Sequence, residues 1–221
     1  MPTFKHLSTT NSALTQIIYQ MNNRIYTYKR IYTNITQINN TIKDYANNIM
    51  LSLKHEATRI NDYLILDGHN NLVFIEKKVN VELDEQLKYI NKELRRDFNK
   101  VFNTYRNTIK DIIKDFNTEM LSRQEMKVAM FRRADILKNR ILTILNTFEI
   151  SIYNLAVLYE LNLQTLTPDD TLLLFAGGEP VRPFCRVYWN KIARYGFWKS
   201  LDNGHGLPVI SNLGGYNCKH R

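Results

Sequence analysis

Four side chains near the end of the chain could do chemistry: Cys185, His205, Cys218 and His220. Thiolates and imidazoles are the usual ligands of a structural zinc ion. The spacing is poor for zinc, because no two cysteines are separated by two residues and a single residue separates Cys218 from His220. A Cys185–Cys218 bridge or close thiol pair is one alternative. Two separate buried thiols are favoured, since free cysteine is among the most buried residue types.

A cysteine nucleophile with a histidine base is the enzymatic interpretation of the same side chains. No recognisable nucleophile motif and no orienting acid or amide accompanies them. The glycine pairs at 177–178 and 214–215 lack the Lys-Ser/Thr that follows in a phosphate-binding loop. We therefore expect no catalytic, cofactor-binding or metal-binding residues, and a protein that is not an enzyme.

The elements that must position these residues fall into two regions of different composition. Every glycine except Gly68, every proline except Pro2, both tryptophans and both cysteines lie after residue 165. Helix breakers are thus scarce in the first region, as long helices require. We predict a mainly α protein with an elongated helical region at 1–165 and a small turn-rich module, rich in glycine and aromatics, at 166–221.

A heptad-spaced apolar series predicts one helix of about 70 Å near the start of the chain. The series alternates steps of four and three residues: Leu14, Ile18, Met21, Ile25, Tyr28, Tyr32, Ile35, Asn39, Ile42, Ala46, Ile49, Leu53, Glu56 and Ile60. Such a seam indicates a partner helix, within the chain or in an oligomer. Asn39 lies in the seam, where a buried amide would set register, or else at a solvated gap.

Four further elements are predicted along the chain. Two β-prone runs around Asp67–Asn71 predict a hairpin near 62–78, with His69 as a turn residue. An eleven-residue apolar repeat predicts a helix at 84–121, in which Met120 is an apolar position. Ser122 and Glu125 form a capping-box pattern at the start of a third long helix. A short helix is expected between Pro168 and Gly177.

The apolar positions of the third helix are spaced three or four residues apart: Leu137, Ile141, Leu145, Phe148, Ile152, Leu155 and Tyr159. Just before and within its first part lies the densest basic cluster of the chain, which could contact phosphates or could be a solvated helix face. Its members are Arg123, Lys127, Arg132, Arg133, Lys138 and Arg140.

The most specific text of the sequence is at its end: Arg-Pro-Phe-Cys at 182–185, Asp-Asn-Gly-His-Gly-Leu-Pro-Val at 202–209 and Gly-Gly-Tyr-Asn-Cys-Lys-His-Arg at 214–221. These strings resemble the C-terminal end of tailed-phage minor head proteins of the Mu F-like head-morphogenesis family. The resemblance implies a docking role for the motif residues Arg182, Pro183, Phe184, Cys185, Asp202, Asn203, Gly204, His205, Gly206, Leu207, Pro208, Gly214, Gly215, Tyr216, Asn217, Cys218, His220 and Arg221.

The resemblance further implies a virion structural protein, a minor head or portal-vertex component that acts in head assembly or in DNA packaging and delivery. Its partners would be portal, capsid or neck proteins, and it would reside in the virion and, during assembly, in the host cytoplasm. We expect an oligomer formed through the helical seams.

The charge of the chain supports a second functional hypothesis. The net charge is +9, and no acidic residue precedes Asp44, so an anionic partner is favoured. Packaged DNA could be contacted without sequence readout, and a soluble nucleic-acid-binding protein that uses the basic helical cluster is the alternative function. Residues of the C-terminal module would add to such binding: Arg182, Arg186, Lys191, Arg194, Lys199, Lys219 and Arg221. We predict no membrane span, because no purely apolar run approaches the roughly 20 residues required.

Overall fold

The computed structural model is mainly α-helical, as predicted. It describes residues 7–27, 35–76, 79, 81–163, 172–176, 179–205 and 209. The elements in chain order are α1 (Leu7–Tyr26), α2 (Ile35–Ile60), β1 (Leu64–Leu66), β2 (Leu72–Phe74), α3 (Val81–Asn117), α4 (Arg123–Leu163), β3 (Leu172–Leu174), α5 (Pro183–Tyr188), β4 (Ile192–Arg194) and α6 (Tyr195–Lys199).

Two compact units share these elements. The first comprises residues 1–53 and 95–142, and the second comprises residues 54–94 and 143–221. The stretch 166–221, predicted as a module of its own, is thus grouped with a hairpin and with helical segments of the earlier sequence.

The single helix predicted from Leu14 to Ile60 is wrong, since two helices occupy this range. Helix α1 ends at Tyr26, and the Thr27 hydroxyl donates a hydrogen bond of 3.0 Å to the Arg24 carbonyl. Such local side-chain bonds compete with helix continuation. The seam positions Tyr28 and Tyr32 lie outside the described residues.

The heptad series describes α1 well but not the start of α2. In α1 the predicted positions that the structure describes are buried: Leu14, Ile18, Met21 and Ile25. In α2, Ile35 is 42% exposed, and Ile38 is buried instead. Asn39 is half-buried, and its Oδ1 is shielded from solvent without a hydrogen-bond partner among the described residues. A new helix begins at Ile35, so the apolar stripe need not keep the phase of α1.

The eleven-residue repeat correctly locates most of the buried face of α3, with one error at its end. Leu87, Phe98 and Ile109 are buried, but Met120 is 75% exposed. The helix ends at Asn117, and Glu119 adopts a left-handed φ of 60° in the turn that follows. Met120 therefore lies after the end of α3, where the helical repeat no longer directs its side chain toward the core.

The capping box at the start of α4 is confirmed. The Ser122 amide donates to Glu125 Oε2 at 2.8 Å, and the Glu125 amide donates to Ser122 Oγ at 3.3 Å. These reciprocal bonds satisfy two donors that the first helical turn leaves free. All seven apolar positions predicted for this helix are buried: Leu137, Ile141, Leu145, Phe148, Ile152, Leu155 and Tyr159.

The first hairpin is also confirmed, with Leu64 opposite Phe74 and Leu66 opposite Leu72. Its turn is organised by Asp67, whose Oδ1 accepts hydrogen bonds of 2.8 Å from the amides of His69 and Asn71. His69 is thus an exposed turn residue. The hydrogen bond that the Asn71 backbone amide donates to the Asp67 carboxylate lowers the pKa of Asp67. Burial opposes this shift, and the bonds from the Asn71 side chain and the His69 amide add to it.

Two polar side chains anchor this hairpin inside the second unit. Asn91 of α3 is buried, accepts a hydrogen bond from the Leu72 amide at 3.0 Å and donates one to the Leu72 carbonyl at 2.8 Å. Lys54 of α2 is only 2% exposed, and its Nζ donates to the Asn70 carbonyl at 2.6 Å. On the apolar side, Tyr159 of α4 stacks on Phe74 with ring centroids 4.8 Å apart.

Candidate docking surface of the C-terminal module

The described part of the C-terminal module contains a two-stranded antiparallel sheet, so the short helix predicted between Pro168 and Gly177 is wrong at Leu172–Leu174, while its predicted first and last residues lie outside the described residues. Strand β3 pairs with β4 so that Leu172 lies opposite Arg194 and Leu174 lies opposite Ile192. The cap signals of the sequence are local, whereas Leu172–Leu174 gains its hydrogen bonds from a strand that comes much later in the chain. Long-range pairing has therefore overridden the local helix signal.

Trp198 is the centre of the module. It is 2% exposed, and its Nε1 donates hydrogen bonds of 3.1 Å to the carbonyls of Leu173 and Ala193, one on each strand. Phe175 stacks on the indole with ring centroids 5.8 Å apart. Aromatic side chains of the module therefore pack around Trp198 on the inner face of the sheet.

The Arg-Pro-Phe-Cys string forms the start of α5. Pro183 occupies the first turn, where its missing amide hydrogen is not needed. Phe184 packs edge-on against Phe175 at 6.2 Å, and Cys185 is buried at 1% exposure. Arg182 supplies the backbone N-cap in an extended conformation. These motif residues are thus positioned by packing within the module.

The second string forms two successive side-chain turns. Asp202 Oδ1 accepts a hydrogen bond from the Gly204 amide at 2.8 Å, and Asn203 Oδ1 accepts one from the His205 amide at 3.0 Å. Asn203 is buried, whereas His205 is exposed. Gly204 has a φ of +73°, a conformation that side chains with a Cβ rarely adopt.

The rest of the motif lies outside the described residues: Gly206, Leu207, Pro208, Gly214, Gly215, Tyr216, Asn217, Cys218, His220 and Arg221. A zinc site, a Cys185–Cys218 bridge or close thiol pair, and two separate buried thiols therefore stay open as predictions. Among the side chains that the structure describes, no three His, Cys, Asp or Glu residues are grouped as metal ligands would be.

An anchor on α3 that the sequence did not indicate holds the module. Glu82 Oε1 accepts a hydrogen bond of 2.7 Å from the Tyr195 hydroxyl and forms an ion pair with Lys199 Nζ at 2.8 Å. Gln86, one turn later, donates to the same hydroxyl at 3.2 Å. Burial would raise the pKa of Glu82, but the bonds from Lys199 and Tyr195 outweigh burial, and the pKa is lowered.

The outer face of the sheet is apolar and open. Leu172, Leu174 and Ile192 are 63%, 51% and 59% exposed, whereas Leu173 and Ala193, which point to the other face, are partly buried. Arg194 shares the outer face, directly across from Leu172. We call Leu172, Leu174, Ile192 and Arg194 the exposed sheet face. Other exposed apolar side chains of the module are Val181, Val187 and Trp189.

The predicted phosphate-contact residues of α4 do not share one helix face. Arg123 and Lys127 are one turn apart, and each places its cation 5.7 Å from the centre of the Tyr26 ring of α1. Arg132 and Arg133 are exposed but consecutive, so they point about 100° apart. Arg140 is exposed, two turns beyond Arg133.

Lys138 differs from the other basic residues of this helix, because it lies in a small network of partly buried polar groups. Its Nζ is 3.5 Å from Asp135 Oδ1, which also accepts a hydrogen bond of 2.6 Å from the Tyr19 hydroxyl. That hydrogen bond to Asp135 raises the pKa of Tyr19. Lys138 already has a carboxylate partner, and only Arg123 and Lys127 are brought together as neighbouring exposed cations.

Helix α4 is also long and apolar enough to cross a membrane by length and composition alone. An 18-residue window within Arg123–Glu160 has a mean hydropathy of 1.6, and 56% of that window is buried inside the structure. The core helix of a soluble protein passes the same test. The absence of a membrane span therefore stays a prediction.

Comparison with known proteins adds no relative: no family model, no curated protein and no solved structure matches this chain.

Proposed function

We propose that this protein is a structural component of a tailed-phage virion, a minor head or portal-vertex protein that acts in head assembly or in DNA packaging and delivery. On this proposal it is not an enzyme, it needs no cofactor, and it works by binding portal, capsid or neck proteins. It would be found in the virion and, during assembly, in the host cytoplasm.

The observation that carries the proposal is the exposed sheet face on an ordered aromatic module. Most large apolar side chains of a folded chain lose their water contact, and a cluster that keeps it marks an interaction surface. Leu172, Leu174 and Ile192 keep more than half of their exposure although Trp198 beneath them is buried. The motif that resembles minor head proteins begins in this same module, at Arg182. The resemblance therefore suggests that the partner of this surface is another virion protein.

The helices support an assembly role as well. Asn39 Oδ1 is shielded from solvent without a partner among the described residues, and Ile35 is exposed one turn earlier. An unused buried acceptor beside an exposed apolar side chain is what a helix seam presents when part of its contact comes from another chain. We propose that oligomers form through this part of α2.

The test is quantitative mass spectrometry of purified particles of the phage that encodes the chain, with mature virions compared with empty or immature heads. A fixed low copy number in mature virions is the expected result. Detection only in immature heads would make the protein an assembly factor, and absence from both would contradict the proposal.

The second candidate function is nucleic-acid binding, favoured by Arg123 and Lys127 beside Tyr26. Two exposed cations one turn apart, both held against the same aromatic ring, suit contact with phosphate groups. The test is DNA binding measured across a salt series. Replacing Arg123 and Lys127 by Gln should reduce the salt slope by about two. The matched Lys43→Gln/Lys100→Gln variant removes the same charge from other exposed positions and should change the slope less.

A further inference from the structure

The turn at residues 202–205 brings together the groups that an asparagine needs to react with its own backbone. Gly204 is the only glycine of the chain that follows an asparagine, Asn203. Attack of the Gly204 amide nitrogen on Asn203 Cγ closes a cyclic imide. Glycine has no side chain to hinder that attack, and a Cβ built on Gly204 would meet no heavy atom of the described residues within 4 Å, its chain neighbours aside.

A carboxylate is hydrogen-bonded to the attacking nitrogen. Asp202 Oδ1 accepts a hydrogen bond from the Gly204 amide at 2.8 Å, and Asp202 is exposed. A side chain can act as general base when it lies about 2.6–3.2 Å from the atom whose proton it takes. Asp202 is therefore placed to accept the amide proton as the nitrogen attacks.

A backbone donor is bound to the oxygen on which negative charge would develop. The His205 amide donates to Asn203 Oδ1 at 3.0 Å. Donors about 2.7–3.1 Å from such an oxygen stabilise the tetrahedral intermediate of acyl transfer. Asn203 is 7% exposed, so water screens this interaction less than it would at the surface. The turn thus assists both atoms of the attacking step, the nucleophilic nitrogen and the carbonyl oxygen.

We propose that Asn203 and Gly204 form a self-modification site, at which Asn203 is converted through the cyclic imide to aspartate or isoaspartate. The Gly204 nitrogen bonds to Asn203 Cγ and gives its proton to Asp202, while the π electrons of the Cγ–Oδ1 bond move to Oδ1. When that double bond reforms, the Cγ–Nδ2 bond breaks, and Nδ2 takes the proton from Asp202 and leaves as ammonia. Water then opens the imide at either carbonyl. Nothing is oxidised or reduced.

Conversion would change the sequence string 202–209 at a position that is buried in the unmodified chain. The product carries a carboxylate at residue 203 in place of a neutral amide, and burial of a charge is costly. We therefore expect the converted turn to be less stable than the original one. The inference goes beyond the proposed function and does not depend on it.

A second turn of the chain provides an internal comparison. Asp67 Oδ1 accepts a hydrogen bond from the His69 amide at 2.8 Å, and a glycine lies between these two residues, as in the turn at 203–205. Residue 67 carries a carboxylate instead of an amide, and Leu66 precedes it instead of an acid. An ionised carboxylate resists attack by a nucleophile, and no ammonia can leave. Residue 67 should therefore stay unchanged while residue 203 is converted.

The test follows freshly purified full-length protein at neutral pH and constant temperature. Peptide mass spectrometry quantifies the change from amide to carboxylate at residue 203, and water enriched in heavy oxygen labels the new carboxylate. The same measurement in urea gives the rate of the unfolded chain, which lacks both hydrogen bonds of the turn. The folded protein should convert at least about tenfold faster than the unfolded chain. Equal or slower conversion of the folded protein would overturn the proposal.

Two variants test the role of the base. Asp202→Asn keeps a side-chain oxygen for the Gly204 amide but removes the base, and it should slow conversion of residue 203 about tenfold or more. Glu179→Gln is the control, because it removes another exposed carboxylate of the same module, and it should leave the rate unchanged. Unchanged conversion in folded Asp202→Asn, or equal slowing in both variants, would overturn the proposal. Thermal unfolding checks that both variants fold, and if Asp202→Asn does not, the folded-to-unfolded rate ratio of the wild type decides.

Discussion

The Tyr105 hydroxyl of α3 donates a hydrogen bond of 2.9 Å to Asn22 Oδ1 of α1 in the core of the first unit. Both residues are buried, and burial raises the pKa of Tyr105 well above its ordinary range. The Asn22 Nδ2 group is buried without a hydrogen-bond partner among the described residues. This buried polar pair thus joins α1 and α3, while the Asn22 Nδ2 donor makes no hydrogen bond to a described residue.

Because the pair is buried, removing one member should cost more than removing both. Tyr105→Phe should lower the free energy of unfolding by about 1–3 kcal/mol, since Asn22 Oδ1 loses its donor. Asn22→Leu/Tyr105→Phe should recover much of that loss. Urea unfolding, monitored by circular dichroism, would give the free energies of unfolding of the wild type, the two single variants and the double variant. Strictly additive effects of the two single substitutions would contradict this prediction.

Acid should loosen the module's anchor at Glu82. The pKa of Glu82 is lowered in the folded state, so its contribution to stability is complete above the unfolded pKa and is lost as the pH falls from about 5 through the folded pKa. Glu82→Gln should flatten the pH dependence of thermal unfolding in this acidic range. Glu85→Gln removes an exposed carboxyl of the same helix and should leave the pH dependence closer to the wild type.

The Asn91 amide should control the local stability of the first hairpin. Asn91→Ala leaves the Leu72 amide and carbonyl without the bonds that Asn91 supplies, at a cost of about 1–3 kcal/mol for each group left unsatisfied. Hydrogen exchange should show faster exchange of the Leu72 amide. Asn99→Ala, at an exposed position of α3, is the control, and equal exchange in both variants would refute the role of Asn91.

Trp198 should contribute more through its volume than through its hydrogen bonds. Trp198→Phe keeps a ring against Phe175 but loses the two bonds to the strands, at about 1 kcal/mol. Trp198→Ala also leaves a cavity and should cost about 3–5 kcal/mol. Thermal unfolding with hydrogen exchange of the β3 and β4 amides distinguishes the two. Equal losses in both variants would show that the hydrogen bonds dominate.

Local sequence signals determined much of the helical part of this protein. Ser122 and Glu125 are three residues apart, Asp67 and Asn71 are four apart, and the stripe from Leu137 to Tyr159 repeats with the helical period. In each case the interacting groups are near in sequence, so their types and spacing specify the geometry. Within the motif residues Arg182–Cys185, Pro183 is likewise suited to the first position of a helix, where α5 begins.

Only the tertiary structure decided the location of side chains whose burial or exposure their residue type does not predict. Lys54 is buried because the Asn70 carbonyl meets its ammonium group, and Glu82 anchors Tyr195, a residue 113 positions away. The three leucines of β3 read equally well as core or surface. Leu172 and Leu174 lie on the exposed sheet face and Leu173 does not, because Trp198 covers the side of the strand to which Leu173 points. Such outcomes depend on contacts between distant parts of the chain, which spacing along the sequence does not encode.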